Sequence, residues 1–400
     1  MRSRSSPSPA EAEVVPASDA GGSIPFSEFV DRALYDPVAG FYATGGRAGG
    51  RGDFLTSPEV GPLFGAVISR ALDEWWHELG DPDPFVLVEV GAGPGTLARS
   101  IRLAGPECAG VLLHVLVERA PGQRLLHEAH LAGWVGERSG EELQAFVLRG
   151  LVGTGPVFVS APEPPESFDG IVFANELLDN LAFDIVRVRP GDDDGEGVVE
   201  ALEVAIDEDG LCEFVVRALD RPGDTATREL AAKTDSGGTG SWFPLQAQAI
   251  GWIADMRSRI GDGRLVVIDY ASTTKELAAR PDFGWMRTFR GHERGSHPLD
   301  SPGSQDITVD VALDQIQMDV SANVVESQSD FLERFGIDEL VDEGRRVWEA
   351  NPHAPGLNEI RGRSRIREAE ALLEGGGLGG FTVMQWIVAG KPDEADETGR

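Results

Sequence analysis

The chain has 400 residues, of which 41% are hydrophobic, enough to bury a sizeable core and too many for a polymer that stays unfolded along most of its length. Lys plus Arg is 35 against 67 Asp plus Glu, a formal net charge of -32, so nucleic-acid phosphate is on average repelled and a general DNA- or RNA-binding role is excluded. Two cysteines, Cys108 and Cys212, are too few for a disulfide scaffold or a cysteine-rich zinc site, and they fit a reducing, cytoplasmic setting. The segment 1–23 is rich in Ser, Pro, Ala and Glu and reads as a disordered tail without the apolar run of a secretory signal. No later stretch supplies the roughly 18 apolar residues of a membrane span.

From Ile24 the apolar positions Phe26, Phe29, Val30, Ala33 and Leu34 fall at helical spacing, with Ser27 as a cap. Tyr35 to Glu59 has neither helical nor strand period and reads as an ordered loop; Leu63 to Leu79 returns to helix. The chain then alternates. Phe85 to Val90 is a continuous apolar run suited to a central parallel strand, followed by a glycine turn and a helix over Thr96 to Leu103. Val111 to Val117 is a second strand, Gln123 to Leu131 a helix, Gly155 to Ser160 a third strand and Asp169 to Ala174 a fourth, with Phe183 to Val188 as an extension or edge. Such alternation predicts an open α/β sheet.

Between 189 and 244 the alternation is interrupted by an insertion in which VVEALEVAI and LCEFVVRAL flank DEDG, a β-hairpin with its tip at Asp207 to Gly210. A helix over Leu245 to Ile260 and a strand over Arg264 to Tyr270 resume the pattern. Residues 278–306 read as a polar loop, Gln317 to Val325 as a strand, Ser329 to Gly344 as a helix and Gly380 to Val388 as a last strand. The whole divides into a cap (24–84), a cofactor-binding half (85–188), the insertion, a second half (245–390) and a disordered tail (391–400).

The chemistry concentrates behind the first strand, in Glu89-Val90-Gly91-Ala92-Gly93-Pro94-Gly95-Thr96. Glycines let the backbone turn sharply and approach a ligand, and the helix start beyond presents free amide donors. The spacing G-x-G-x-G fails the G-x-G-x-x-G of dinucleotide folds. Glu89, two residues before the first glycine, suits the ammonium of a methionine moiety, and Glu118, ending the next strand, suits a pair of ribose hydroxyls. This is the order expected of a class I, Rossmann-like methyltransferase that uses S-adenosyl-L-methionine. Asn175, Glu176 and Asp179 cluster at the carboxyl end of the fourth strand, the edge where open α/β sheets bind ligands. Asn175 equally suits a helix cap, and Glu176 and Asp179 suit first-turn acids favoured by a helix dipole. His292 and His297 sit near Glu293 and Asp300 and read better as separate loop histidines than as a metal cluster; no metal is required.

Five blocks in order, GRGDFLTSPEV (50–60), VLVEVGAGPGTL (86–97), ANELLDNLAFD (174–184), LVVIDYA (265–271) and RGHERGSHPLDSPGSQDITVDV (290–311), resemble the MidA family of S-adenosylmethionine-dependent methyltransferases. The mitochondrial members of that family are complex I assembly factors regarded as protein arginine methyltransferases. The resemblance spans about 24–388 and implies a mixed-sheet α/β methyltransferase fold with an N-terminal helical segment and inserted hairpin and loop elements. It implies that Glu89, Gly91, Gly93 and Gly95 hold the cofactor, with Glu118 on its ribose. Asp53, Thr56, Pro58 and Glu59 would line the methyl-transfer side, and Asn175, Glu176 and Asp179 would form the floor. The acceptor is then an arginine-bearing protein segment or a small molecule, with a non-catalytic assembly role as a third reading. Leu177 and Leu178 replace an aromatic pair of the family pattern, and leucine cannot stack on a guanidinium.

Overall fold

The computed structural model describes residues 22–43, 56–149, 155–189, 197–207, 210–219, 227–230, 240–290, 293–353 and 355–390. Its centre is an eight-stranded sheet of β1 (Phe85–Val90), β2 (Leu112–Val117), β3 (Trp134–Glu137), β4 (Val157–Ala161), β5 (Phe168–Asn175), β6 (Ile260–Asp269), β7 (Val324–Ser327) and β8 (Thr382–Val388). Their spatial order is β7-β8-β6-β5-β1-β2-β4-β3. The pairs that join β1 to β6 are parallel, while β8 runs antiparallel to both β6 and β7. The sequence order reverses at β1, flanked by β2 and β5, and register aligns Val90 with Val117 and Ala174. A crevice therefore opens beyond these three strand ends.

Both faces of the sheet are covered, which is why its strands read as continuous apolar runs. Phe85, Leu87, Ile171, Phe173 and Val383 face a core shared with the helix Pro62–Glu78 and the helices Gln328–Arg334, Ile337–Ala350 and Leu357–Leu373. Their neighbours Val86, Val88, Val90, Val172 and Met384 face the opposite core, built with Gly140–Arg149, Ala247–Arg259 and Leu313–Asp319. At the β1–β5–β6 crossing, Gly170 and Gly263 have φ of 145° and 146°, and a Cβ on Gly263 would lie 1.8 Å from the Gly170 carbonyl oxygen.

A second, antiparallel sheet carries Ser23–Pro25, Val198–Ile206, Asp184–Arg189 and Phe243–Leu245, with Cys212–Leu219 pairing the second of these. The predicted hairpin is present, its two arms in register from Ile206–Cys212 to Val199–Leu219. The N-terminal helix Phe26–Tyr35 packs Phe26 and Phe29 against this sheet and against Trp285 in a third core. Its first-turn amide at Ser27 donates to Asp184 at 3.2 Å, so the expected Ser27 cap is replaced by a carboxylate 157 residues away.

Several local expectations are corrected. The segment expected at 183–188 to extend or edge the main sheet is instead a strand of the second sheet. The expected helix over Gln123 to Leu131 is two single turns, Pro121–Arg124 and His127–His130. The polar loop 278–306 contains the strand Met286–Arg290, which pairs Asp306–Val309. Gln317 to Val325 resolves into the helix Leu313–Asp319 followed by β7. Among the described residues no helix is long and apolar enough to cross a membrane.

Candidate functional site

The crevice is a cavity of about 670 Å³ that runs from the glycine turn to the carboxyl end of β5. Gly91, Gly93 and Gly95 all have positive φ (74°, 51° and 82°), the left-handed conformations that glycine adopts without strain. Gly91 N and Ala92 N donate to the Val117 carbonyl at 2.9 and 3.1 Å, turning the chain over the end of β2 before the helix Thr96–Ala104 begins. Glu118 follows β2 directly: Oε2 accepts from Gly93 N at 2.9 Å and Oε1 from Ala120 N at 2.7 Å. Burial pushes its carboxyl up, and these two amides oppose the shift. Glu89, six per cent exposed, also lines the cavity, with Oε2 2.8 Å from Nε2 of the fully buried His114.

Thr56, Pro58 and Glu59 enter from the turn Ser57–Val60, and Glu59 Oε1 accepts from Thr96 Oγ1 at 2.6 Å, which places this acid beside the glycine turn. Asp53 lies outside the described residues. Asn175 and Glu176 form the wall at the end of β5. Glu176 has φ of 52°, a left-handed conformation uncommon for a side-chain-bearing residue and often found at functional sites. Its Oε1 accepts from Ser57 N at 3.1 Å and from Asn175 Nδ2 at 2.8 Å. Burial and the nearby Asp179 charge push its carboxyl up to about 8.

Asp179 does not join this wall. It is buried behind it, off the cavity lining, with Oδ2 accepting from the Tyr270 hydroxyl at 2.5 Å. Burial raises Asp179 to about 6, and the Tyr270 hydrogen bond opposes the rise. The turn that carries it is held by Asp269 at the end of β6, whose Oδ2 accepts from Leu178 N and Asp179 N at 2.9 and 3.2 Å. Periodicity reveals none of this, although Asp269 and Tyr270 were visible as the strand-end pair of LVVIDYA.

The cavity is also lined by residues that the sequence reading missed. Tyr35 and Tyr42, stacked at 5.4 Å, and Asn180 line it. Tyr42 donates to Asn180 Oδ1 at 3.0 Å, and Asn180 Nδ2 donates to Asp306 Oδ1 at 3.1 Å. Burial, and then the Asp179 charge, push Asp306 up to about 8. Aromatic surface is thus supplied by the tyrosine pair although Leu177 lines the cavity as leucine; Arg119 already stacks on Tyr35 at 4.4 Å. His297 packs on Phe214 at 5.5 Å, well away in the third core, and His292 lies outside the described residues. Among the described residues no group of three or more His, Cys, Asp or Glu is arranged to hold a metal.

An open sheet of this order, a G-x-G-x-G turn behind its first strand and a carboxylate after its second define a class I, S-adenosyl-L-methionine-dependent methyltransferase. Residues 67–329 match the family described as "Putative S-adenosyl-L-methionine-dependent methyltransferase", and the chain belongs to that family. It is similar to the protein named arginine methyltransferase NDUFAF7 homolog, mitochondrial, of Drosophila melanogaster, at 28% identity over 72% of this chain and 65% of that one. It is also similar to the protein arginine methyltransferase NDUFAF7, mitochondrial, of Danio rerio, at 27% identity over 80% of this chain and 74% of that one. A COG1565 superfamily member from Burkholderia thailandensis, crystallised with S-adenosyl-homocysteine, has the same fold, with a TM-score of 0.70 and 24% identity over 92% of this chain and 89% of that one. The family resemblance and the methyl-donor cofactor read from the sequence both hold.

Proposed function

We propose that the chain methylates a guanidino nitrogen of an arginine in a protein partner. The observation that carries this reading is the Asn175–Glu176 wall: a half-buried carboxyl, set by a left-handed backbone at a strand end, in a cavity that two stacked tyrosines also line. Such a wall suits a planar cation with several N–H donors, which a carboxylate pairs with and an aromatic face attracts. The names of the fly and fish relatives point the same way.

The residues fit the cofactor. The glycine turn leaves the cavity open at Gly91, where a Cβ would meet Leu177 at 3.0 Å; Gly95 lies off the cavity lining, and a Cβ there would meet the core residue Leu116 at 3.3 Å. One carboxylate stands on each side of the turn, Glu89 before it and Glu118 behind it. In this reading Gly91 and Gly93 admit the cofactor while Gly95 completes the turn behind them, Glu118 accepts from its ribose hydroxyls and Glu89 meets its ammonium. Thr56, Pro58 and Glu59 close the same side. S-adenosyl-L-methionine supplies an electrophilic sulfonium methyl when bound. The protein contributes alignment and charge. Asn175 and Glu176 hold the acceptor's N–H groups, and the Glu176 carboxylate takes the proton that the nitrogen loses as it gains the methyl. A carboxyl raised to about 8 carries its proton at neutral pH in the ligand-free chain, and an arriving guanidinium favours the ionised form, so binding releases a proton. Asp179 and Tyr270 sit one layer behind and hold the wall in place.

Purified protein incubated with tritium-labelled S-adenosylmethionine and lysate tests this proposal. Label on a protein band, recovered as methylarginine after hydrolysis and lost in Glu176→Gln, is the expected result. Label confined to low-molecular-weight material would replace the protein acceptor with a small molecule. No transfer despite tight S-adenosyl-homocysteine binding would favour a non-catalytic assembly role. We also propose a cytoplasmic setting, supported by free, buried Cys108 and Cys212, although the relatives are named mitochondrial. Cell fractionation decides between the two.

A further inference from the structure

The turn His127–His130 holds a hydrogen-bonded chain that no step above uses. Trp134 Nε1 donates to Ser160 Oγ at 2.9 Å, Ser160 Oγ lies 2.7 Å from His127 Nδ1, and His127 Nε2 lies 2.8 Å from the Gly93 carbonyl oxygen. Every proton in it is assigned by chemistry. An indole N–H only donates and a carbonyl only accepts, so Nε2 must carry an imidazole proton, and in the neutral ring Ser160 then gives its single proton to Nδ1. The chain thereby selects the Nε2–H tautomer of the neutral ring, and burial disfavours the charged form.

Gly93 is gripped from both sides. Its N–H is held by Glu118, and its carbonyl by His127, so the torsions on either side of its Cα are both tethered. A Cβ at this position would touch nothing within 4 Å, so packing does not restrain the residue and hydrogen bonds must. The neighbouring Pro94 carbonyl oxygen is held in the same way, 2.8 Å from His130 Nδ1.

We infer that His127, held as its Nε2–H tautomer by Ser160 and Trp134, is a positioning residue that fixes the Gly93 turn, and through it the Glu118 carboxylate, for the cofactor. The inference rests on assigning the Gly91–Gly95 turn to the methyl donor. It explains why a glycine turn, whose sharp path depends on conformational freedom, presents one arrangement to a ligand. A histidine that merely fills the core would need no donor directed at this carbonyl.

The experiment is calorimetric titration of S-adenosyl-homocysteine into wild type, His127→Ala, His127→Gln, His127→Asn, Ser160→Ala and Gly93→Asp, each checked for matched thermal unfolding. A glutamine amide N–H reaches the place of Nε2–H, whereas an asparagine amide is one bond short. The expected result is Kd raised about tenfold in His127→Ala and His127→Asn, the scale of one lost hydrogen bond, with recovery to within about threefold in His127→Gln. Equal Kd in all three His127 variants overturns the inference, and so does an unchanged Kd in His127→Ala. If His127→Ala does not fold, the Gln and Asn variants decide. Unaltered binding in Gly93→Asp would instead refute the assignment of the cofactor to this turn.

Discussion

Asp306→Asn should change how stability depends on pH. The Asp306 side chain is fully buried; Oδ1 accepts from Asn180 Nδ2 and from Ile307 N and lies 3.3 Å from the Tyr42 hydroxyl, and Oδ2 has no hydrogen-bond partner. Burial first, and the charge of Asp179 second, raise its carboxyl from 3.8 to about 8. Between those values the folded chain holds a proton that the unfolded chain has released, so stability falls as pH rises through the window. A rise of about four units caps the effect at roughly 6 kcal/mol. An effective interior dielectric near 20 and the relaxation of water around the charge bring the expectation down to about 2–3 kcal/mol. Asparagine keeps an acceptor for Asn180 and Ile307 and has no charge to bury. Urea unfolding at intervals from about pH 5 to 8.5 should therefore show the variant gaining about 2 kcal/mol on wild type across the range. A difference that stays constant to within about 0.5 kcal/mol would refute the reasoning.

Glu176 gives a related dependence in binding: the Kd for an arginine-containing peptide, read by calorimetry without turnover, should fall as pH rises toward about 8 and then level off, as the carboxylate form becomes available. A slope that persists in Glu176→Gln would assign it to another group. Gly263→Ala places a Cβ 1.8 Å from the Gly170 carbonyl oxygen in the middle of the sheet, and should cost more than about 4 kcal/mol, read as loss of soluble protein. Trp285→Ala empties the third core between Phe183 and Phe283 and should cost about 3–5 kcal/mol by denaturant titration; a loss under about 1 kcal/mol would mean that this core is dispensable.

The sheet and the glycine turn were legible because each is written in neighbouring residues: an apolar run of six, then glycines that need positive φ. The second sheet was half legible. Its hairpin shows as two apolar runs around DEDG, but the assignment of Asp184–Arg189 to it depends on pairing with Val198–Ile206, which no local pattern announces. The helix Leu357–Leu373 escaped because it buries little apolar surface; it packs instead through Gly362 against Gly344, where a Cβ would come within 2.5 Å of the opposing carbonyl. At the site, Asn175 and Glu176 were found from their position at a strand end. Asp179, three residues on, was expected beside them but points the other way, because Asp269 pulls its turn against β6. Tyr35 and Tyr42, seven residues apart, reach Asn180 at the cavity, with Asp306 buried behind it, only after folding.

The strand β8, latest of the eight in the sequence, is wedged between β6 and β7 and contributes Val383 to one core and Met384 to the other. During synthesis the nascent chain therefore holds the methyl-donor turn, its carboxylates and the acceptor wall well before the sheet that supports them can close. Until residues 382–388 leave the ribosome, the β6 edge is open to any other strand it meets. The window for mispairing ends only with translation of the last strand, which makes this stretch a natural target for chaperone protection and a poor place for a truncation.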